Sequence, residues 1–157
     1  EPETVPVEPL VAGLLEEFAP RSERGKVSVS TTVSPALAVT GERFLVRQAL
    51  ANLLDNAIDF TPAGGAIRIE AALEAGANPS QVAIRVFNEG EAIPDYAVPR
   101  VTERFYSLPR PATGRKSTGL GLNFVQEIAD LHGGRFEICN RKGGVQATLW
   151  LPHAIST

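Results

Sequence analysis

Two carboxamides four residues apart, Asn52 and Asn56, are the first side chains in this sequence whose type and spacing suggest chemistry. Residues i and i+4 of a helix are surface neighbours, so the pair would present two amide oxygens on one stripe. A hard cation such as Mg²⁺ takes a few such oxygens and fills its remaining positions with phosphate oxygens and waters. The same stripe reads equally as a solvated helix face. The second candidate is Lys116-Ser-Thr-Gly-Leu-Gly-Leu122, which sets two glycines and two hydroxyls where a loop turns into a helix. Free backbone N–H groups and the helix dipole suit a phosphate there. Alternatively, Gly119 and Gly121 merely allow close packing at a helix start.

The elements that would position these groups follow from apolar spacing. Val46, Ala49, Leu50, Leu53, Leu54, Ala57 and Ile58 keep an i, i+3, i+4 rhythm, which predicts a helix over 42–60 with Asn52, Asn56 and Asp59 on its polar arc. Leu10, Leu14, Leu15 and Phe18 predict a shorter helix stopped by Pro20, and the three prolines of residues 1–9 read as a linker outside the core. Residues 10–157 would then form the domain. Alternating residues at 27–31 and 36–39 suggest a hairpin, as do 67–73 with 82–86, and 136–138 with 145–151. Gly119 would open a third helix carrying Phe124, Val125, Ile128 and Ala129 inward, ended by Gly133-Gly134. Between Asn88 and Thr118 lies a loop-rich stretch with one helical turn expected around residues 96–105, and a long loop in a compact domain usually carries function. Hairpins separating three helices predict an α+β, two-layer α/β sandwich with a mainly antiparallel sheet and the helices on one face.

Composition narrows the classes. The 157 residues carry 15 basic and 18 acidic side chains, a net charge of −3, and their signs are interspersed. That gives no basic stripe for nucleic acid. Cys139 is the single cysteine, which rules out an internal disulfide framework and a thiolate metal site built from this chain alone. No run approaches the roughly 18 consecutive apolar residues of a membrane span. The absence of any methionine suits a piece of a longer protein.

Four stretches occur in order: Asn52-Leu-Leu-Asp-Asn56-Ala-Ile-Asp-Phe-Thr-Pro62, Asn88-Glu-Gly-Glu-Ala-Ile-Pro94, Glu103-Arg-Phe-Tyr106 and Ser117-Thr-Gly-Leu-Gly-Leu122. The set resembles the N, G1, F and G2 boxes of sensor histidine kinases, from about Leu10 to Leu151, and the 93–122 stretch looks most like the CreC type. The resemblance implies a Bergerat (GHKL-type) ATP-binding catalytic domain with an ATP-lid loop, binding ATP and Mg²⁺. It makes Asn56 the Mg²⁺ ligand and Asn52 a phosphate or metal-water contact, with Asn52 and Lys116 as the catalytic candidates. Phe60 would flank the nucleotide, Asn88 would read the adenine amino group, and Gly90 and Ile93 would shape the purine pocket. Phe105 and Tyr106 would anchor the lid. Lys116, Ser117, Thr118 and the N–H groups of Gly119, Leu120, Gly121 and Leu122 would hold the phosphates, with Thr148 supporting the adenine contact.

The sequence also departs from that pattern. Asn88 stands where the family usually has an aspartate and Ala92 where it has a second glycine, a change worth about 1 kcal/mol of adenine binding. Asp59 and Ser107 stand where relatives often carry cations, and Arg104, Arg110, Arg115 and Lys116 are the candidates to replace them. His132 and His153 lack the acidic neighbour of a phosphoacceptor and read as structural or exposed. The expected function is therefore half of a protein-histidine kinase, handing the γ-phosphoryl group to a histidine on a separate dimerisation and phosphotransfer domain of the same protein. The resemblance further implies a response regulator receiver domain as partner, a homodimeric intact protein, and a cytoplasmic domain of an inner-membrane sensor kinase. The alternative is a degenerate nucleotide-sensing or protein-interaction module with weak or no kinase activity.

Overall fold

The computed structural model describes residues 2–74, 76, 80–101 and 121–154. The chain runs β1 (Glu3–Pro6), α1 (Val7–Arg24), β2 (Ser28–Val33), β3 (Ala38–Gly41), α2 (Arg43–Phe60), β4 (Ala66–Leu73), β5 (Gln81–Glu89), a 3₁₀ turn (Val98–Arg100), α3 (Gly121–Leu131), β6 (Arg135–Arg141) and β7 (Gly144–Pro152). Five strands form one sheet in the order β2-β4-β5-β7-β6. Only the β2–β4 pair is parallel, and every other pair is antiparallel. The expected α+β two-layer sandwich is what the chain adopts.

Register fixes the two faces of the sheet, because residues directly opposite each other point the same way. Ile69, Val86, Ala147 and Ile138 form one such row across four strands, and Ile84, Leu149 and Phe136 form another. These residues share a single core with the buried stripes of the helices. On α2 all seven predicted positions, Val46 to Ile58, are buried. Completely burying a leucine such as Leu53 or Leu54 stabilises the fold by about 1.5–3 kcal/mol, so this stripe dictates how α2 sits. The opposite face keeps its aromatics dry differently: the Arg68 guanidinium lies 4.3 Å from the Phe87 ring and that of Arg135 lies 3.9 Å from Trp150.

Three expectations are corrected. Residues 27–39 do not form a hairpin: β2 lies parallel to β4 at the sheet edge, while β3 leaves to pair with β1, Val39 opposite Val5. The connection explains this. Pro35 precedes Ala36 at φ 65°, the sign pattern of a type II turn, which splays its flanking strands instead of pairing them. Residues 1–9 are not outside the core, since Val5 and Val7 are fully buried. Pro6 sits at the N-cap of α1 and Pro9 in its first turn, where a missing N–H costs no intrahelical bond. Finally, Pro20 does not stop α1, which continues to Arg24. The carbonyl that Pro20 leaves without a helical donor belongs to exposed Glu16, where water can replace it.

Candidate functional site

The polar arc of α2 meets the beginning of α3. Gln48 Nε2 donates to Asn52 Oδ1 at 3.0 Å, and Asn52 Nδ2 donates to the carbonyl of Gly121 at 3.3 Å. Asn52 thus joins the carboxamide stripe to Gly121, the first described residue of α3. One turn further, the half-buried Asn56 carboxamide has no side-chain partner among the described residues. An oxygen donor left open on this polar arc fits Mg²⁺, which asks a protein for one or two oxygens and takes the rest from phosphates and water. Among the described residues there is no cluster of three acidic, histidine or cysteine side chains to suit a different metal.

The far end of α2 closes against β5. Thr61 Oγ1 donates to the carbonyl of Ala57 at 2.6 Å, ending the helix, and the carbonyl of Phe60 then faces Gly90. Gly90 has φ +147°, and a Cβ there would stand 2.9 Å from that carbonyl oxygen, so the position needs glycine on both counts. Asn88 is buried and lies in one row with Ile67 and Val145 on the helix-facing side of the sheet. Asn140, across Val145 from it, locks the following loop: Ile93 N–H donates to its Oδ1 at 2.8 Å, and its Nδ2 donates to the Ile93 carbonyl at 2.9 Å. Phe60, Asn88, Gly90 and Ile93 are therefore gathered where α2 ends. Leu122 packs against the core at the opening of α3.

Thr148 is not brought to this place. It stands opposite Arg85 and Glu137, on the sheet face turned away from the helices, because it is an odd number of residues from Val145. Phe105, Tyr106, Lys116, Ser117, Thr118, Gly119 and Leu120 lie outside the described residues, as do Arg104, Ser107, Arg110 and Arg115. α3 is described from Gly121 onwards.

Sequence reasoning missed two residues, Arg21 and Asn140, and read a third, His132, correctly as structural without its partners. Arg21 of α1 reaches both Asp55 and Asp59 on α2. Asn140 clamps Ile93, as described above. His132, read as structural or exposed, has both ring nitrogens engaged: Nδ1 donates to the carbonyl of Ile128 at 2.7 Å, and Nε2 accepts from the backbone N–H of Glu42 at 3.0 Å. Each links residues distant in the chain, so no local pattern signals them. A separate hollow of about 190 Å³ between α1, β2 and α2 is lined by Leu15, Phe18, Val29, Leu54 and Ile58 and offers no carboxamide.

Comparison with known proteins gives one answer. The model of the family described as histidine kinase-, DNA gyrase B-, and HSP90-like ATPase matches residues 41–155. Sensor protein CreC of Escherichia coli (strain K12) is 51% identical over 114 residues, covering 72% of this chain and 23% of that protein. The chain thus spans less than a quarter of that relative. The catalytic domain of histidine kinase ThkA superposes with a TM-score of 0.84 at 26% identity, over 97% of each chain. Full-length ShkA in complex with AMPPNP superposes with a TM-score of 0.80 at 25% identity, over the whole of this chain and 32% of that one. No described helix is long and apolar enough to cross a membrane.

Proposed function

From the premise that the chain belongs to the histidine kinase-, DNA gyrase B- and HSP90-like ATPases, as a catalytic domain of the sensor-kinase type, we propose that it binds ATP with Mg²⁺ along the seam between α2 and α3. It would then hand the γ-phosphoryl group to a histidine on a separate dimerisation domain. The observation that carries this reading is the hydrogen bond from Asn52 to the Gly121 carbonyl, which sets the carboxamide stripe against the opening of the last helix.

In this reading Asn56 holds Mg²⁺, and the ion supplies neutralisation of the phosphate charge and alignment of the β- and γ-phosphates. The chain's own residues do the rest. Asn52 orients a phosphate or metal-bound water, the N–H groups of Gly119 to Leu122 receive phosphate oxygens, and Lys116 adds a cation. Asn88 accepts from the adenine amino group while Phe60, Gly90 and Ile93 shape the base pocket, and Phe105 and Tyr106 anchor the lid. No general base is assigned here. Phosphoryl transfer through a loose transition state asks mainly for positioning and charge stabilisation, and this set of amides and N–H groups supplies both.

We assign the phosphoacceptor to another domain because neither histidine of this chain has the acidic neighbour of an acceptor histidine. His132 uses both ring nitrogens, and His153 lies at the end of β7 with its backbone N–H on the Ser80 carbonyl. The partners proposed are the dimerisation and histidine phosphotransfer domain of the same protein, through which the intact protein forms a homodimer, and a response regulator receiver domain. The proposed setting is the cytoplasmic side of an inner-membrane sensor. Calorimetric titration of the chain with ATP, with and without Mg²⁺, tests the binding step. Transfer from labelled ATP to a purified histidine-bearing helical domain tests the chemistry. Metal-dependent binding followed by acid-labile labelling is expected, and no heat at millimolar ATP would sink the reading.

A further inference from the structure

The carboxamide stripe has an acidic border. Asp55 and Asp59 stand one turn apart on α2, and Asp59 is three residues beyond Asn56, so its carboxylate leaves the helix on the arc of the two asparagines. A triphosphate seated on that arc meets like charge from the helix that is meant to hold it. The answer comes from α1. Arg21 directs Nη1 to Asp55 Oδ1 and Nη2 to Asp59 Oδ1, the latter at 2.6 Å, and its guanidinium lies 5.8 Å from the Phe18 ring. A planar fork resting on an aromatic ring is already oriented to take two carboxylates together. The other α1–α2 ion pair, Arg47 with Glu17, is balanced and more exposed, so it leaves the charge beside the stripe unchanged.

We propose that Arg21 is a positioning residue for nucleotide binding: a cation delivered from α1 that cancels the Asp59 charge, so that phosphates are accepted where α2 itself presents an acid. With Arg21 the three groups sum to −1, and without it to −2. This rests on the nucleotide reading above. A purely mechanical role, tying α1 to α2, makes a different prediction: R21A already breaks the ties to both Asp55 and Asp59, so removing the Asp59 charge as well would restore nothing.

The test is MgATP affinity of the 157-residue chain and of the variants R21A, D59N and R21A/D59N, with thermal melts alongside. R21A is expected to weaken binding about fivefold, and the gap is expected to shrink as salt rises from about 0.05 to 0.5 M. D59N breaks the same ion pair, yet it should bind at least as tightly as the wild type. The double variant should return to within about twofold of the wild type even though its melting temperature stays low. A double variant as weak as R21A, a D59N weaker than the wild type, or an unchanged R21A overturns the proposal and leaves the ATP reading standing. Failure of the wild-type chain to bind MgATP overturns both.

Discussion

The two ends of the seam between α2 and α3 are built on opposite principles. At the N-terminal end of α2 the groups facing α3 are paired: Glu42 caps Leu45 with its side chain, its own N–H is taken by His132, and the other His132 nitrogen binds Ile128. There is no spare room either, since a Cβ on Gly41 would lie 2.7 Å from the His132 ring. Nearly three turns further along, one hydrogen bond of 3.3 Å joins Asn52 to Gly121, and Asn56 is left open. A half-exposed carboxamide can bond to water until a ligand displaces it, so leaving Asn56 open costs the fold little. The closed end fixes the angle between the helices, and the open end is where binding happens. Mutations at the two ends should therefore separate cleanly into effects on stability and effects on nucleotide.

The largest effect is expected at the open end. Asn56→Ala removes the proposed metal-ligating oxygen but leaves the packing of α2 untouched, because the side chain is half-exposed and on the polar arc. Phosphotransfer should fall by about 100-fold or more, the scale on which losing one electrostatic contact to the transition state is felt. ATP binding should lose its response to Mg²⁺ while the melting temperature stays put. A variant that still responds to the metal would remove Asn56 from the site.

At the closed end the signature reverses. His132→Ala strands the Glu42 N–H, at about 1–3 kcal/mol, while the Ile128 carbonyl keeps its bond from the backbone N–H of residue 132. For a chain of this size that lowers the melting temperature by roughly 2–12 °C, with MgATP affinity changed less than about twofold. Gly41→Ala should cost about 1–3 kcal/mol through overpacking against the same ring and against Val46. Combining the two substitutions gives the sharper measurement. If the ring is what the new methyl strikes, Gly41→Ala should be milder in the His132→Ala background, with a coupling of about 1 kcal/mol. Strict additivity would show that Val46 is the obstacle instead.

Why one end could be read in the sequence and the other could not follows from range. The stripe of Asn52 and Asn56 and the glycine-rich opening of α3 are local patterns, and local patterns are what periodicity reports. The seven apolar positions of α2 and the hairpins β4–β5 and β6–β7 were legible for the same reason. Alternation at 27–39 showed two strands without showing their partners, and the Pro35-Ala36 turn was the unused signal. Proline misled twice, at residues 1–9 and at Pro20, because its cost depends on whether a helical acceptor is actually lost. Thr148 was misplaced by parity: strand alternation puts it on the other face from Val145, and hence from Asn88. Arg21, His132 and Asn140 act across 34 to 90 residues of chain, where no single-sequence pattern reaches.

The smallest expected effect would sharpen the comparison most, because it acts on both stability and binding at one buried position. Asn88 is 7% exposed, and its Nδ2 bonds to the Glu89 carbonyl at 3.3 Å. Asn88→Asp replaces a neutral acceptor by a charged one, which should tighten ATP by about 1 kcal/mol, or roughly fivefold. The same charge is buried in the unliganded protein and its Nδ2 donor is gone, so the unliganded melting temperature should drop. Stability and affinity thus move in opposite directions, and the rise in melting temperature on adding MgATP should be larger for the variant than for the wild type. Guanine offers a carbonyl where adenine offers an amine, so the gain should be absent with GTP. Equal tightening toward ATP and GTP would mean that residue 88 does not touch the base and that the pocket is formed elsewhere along the loop that Asn140 holds.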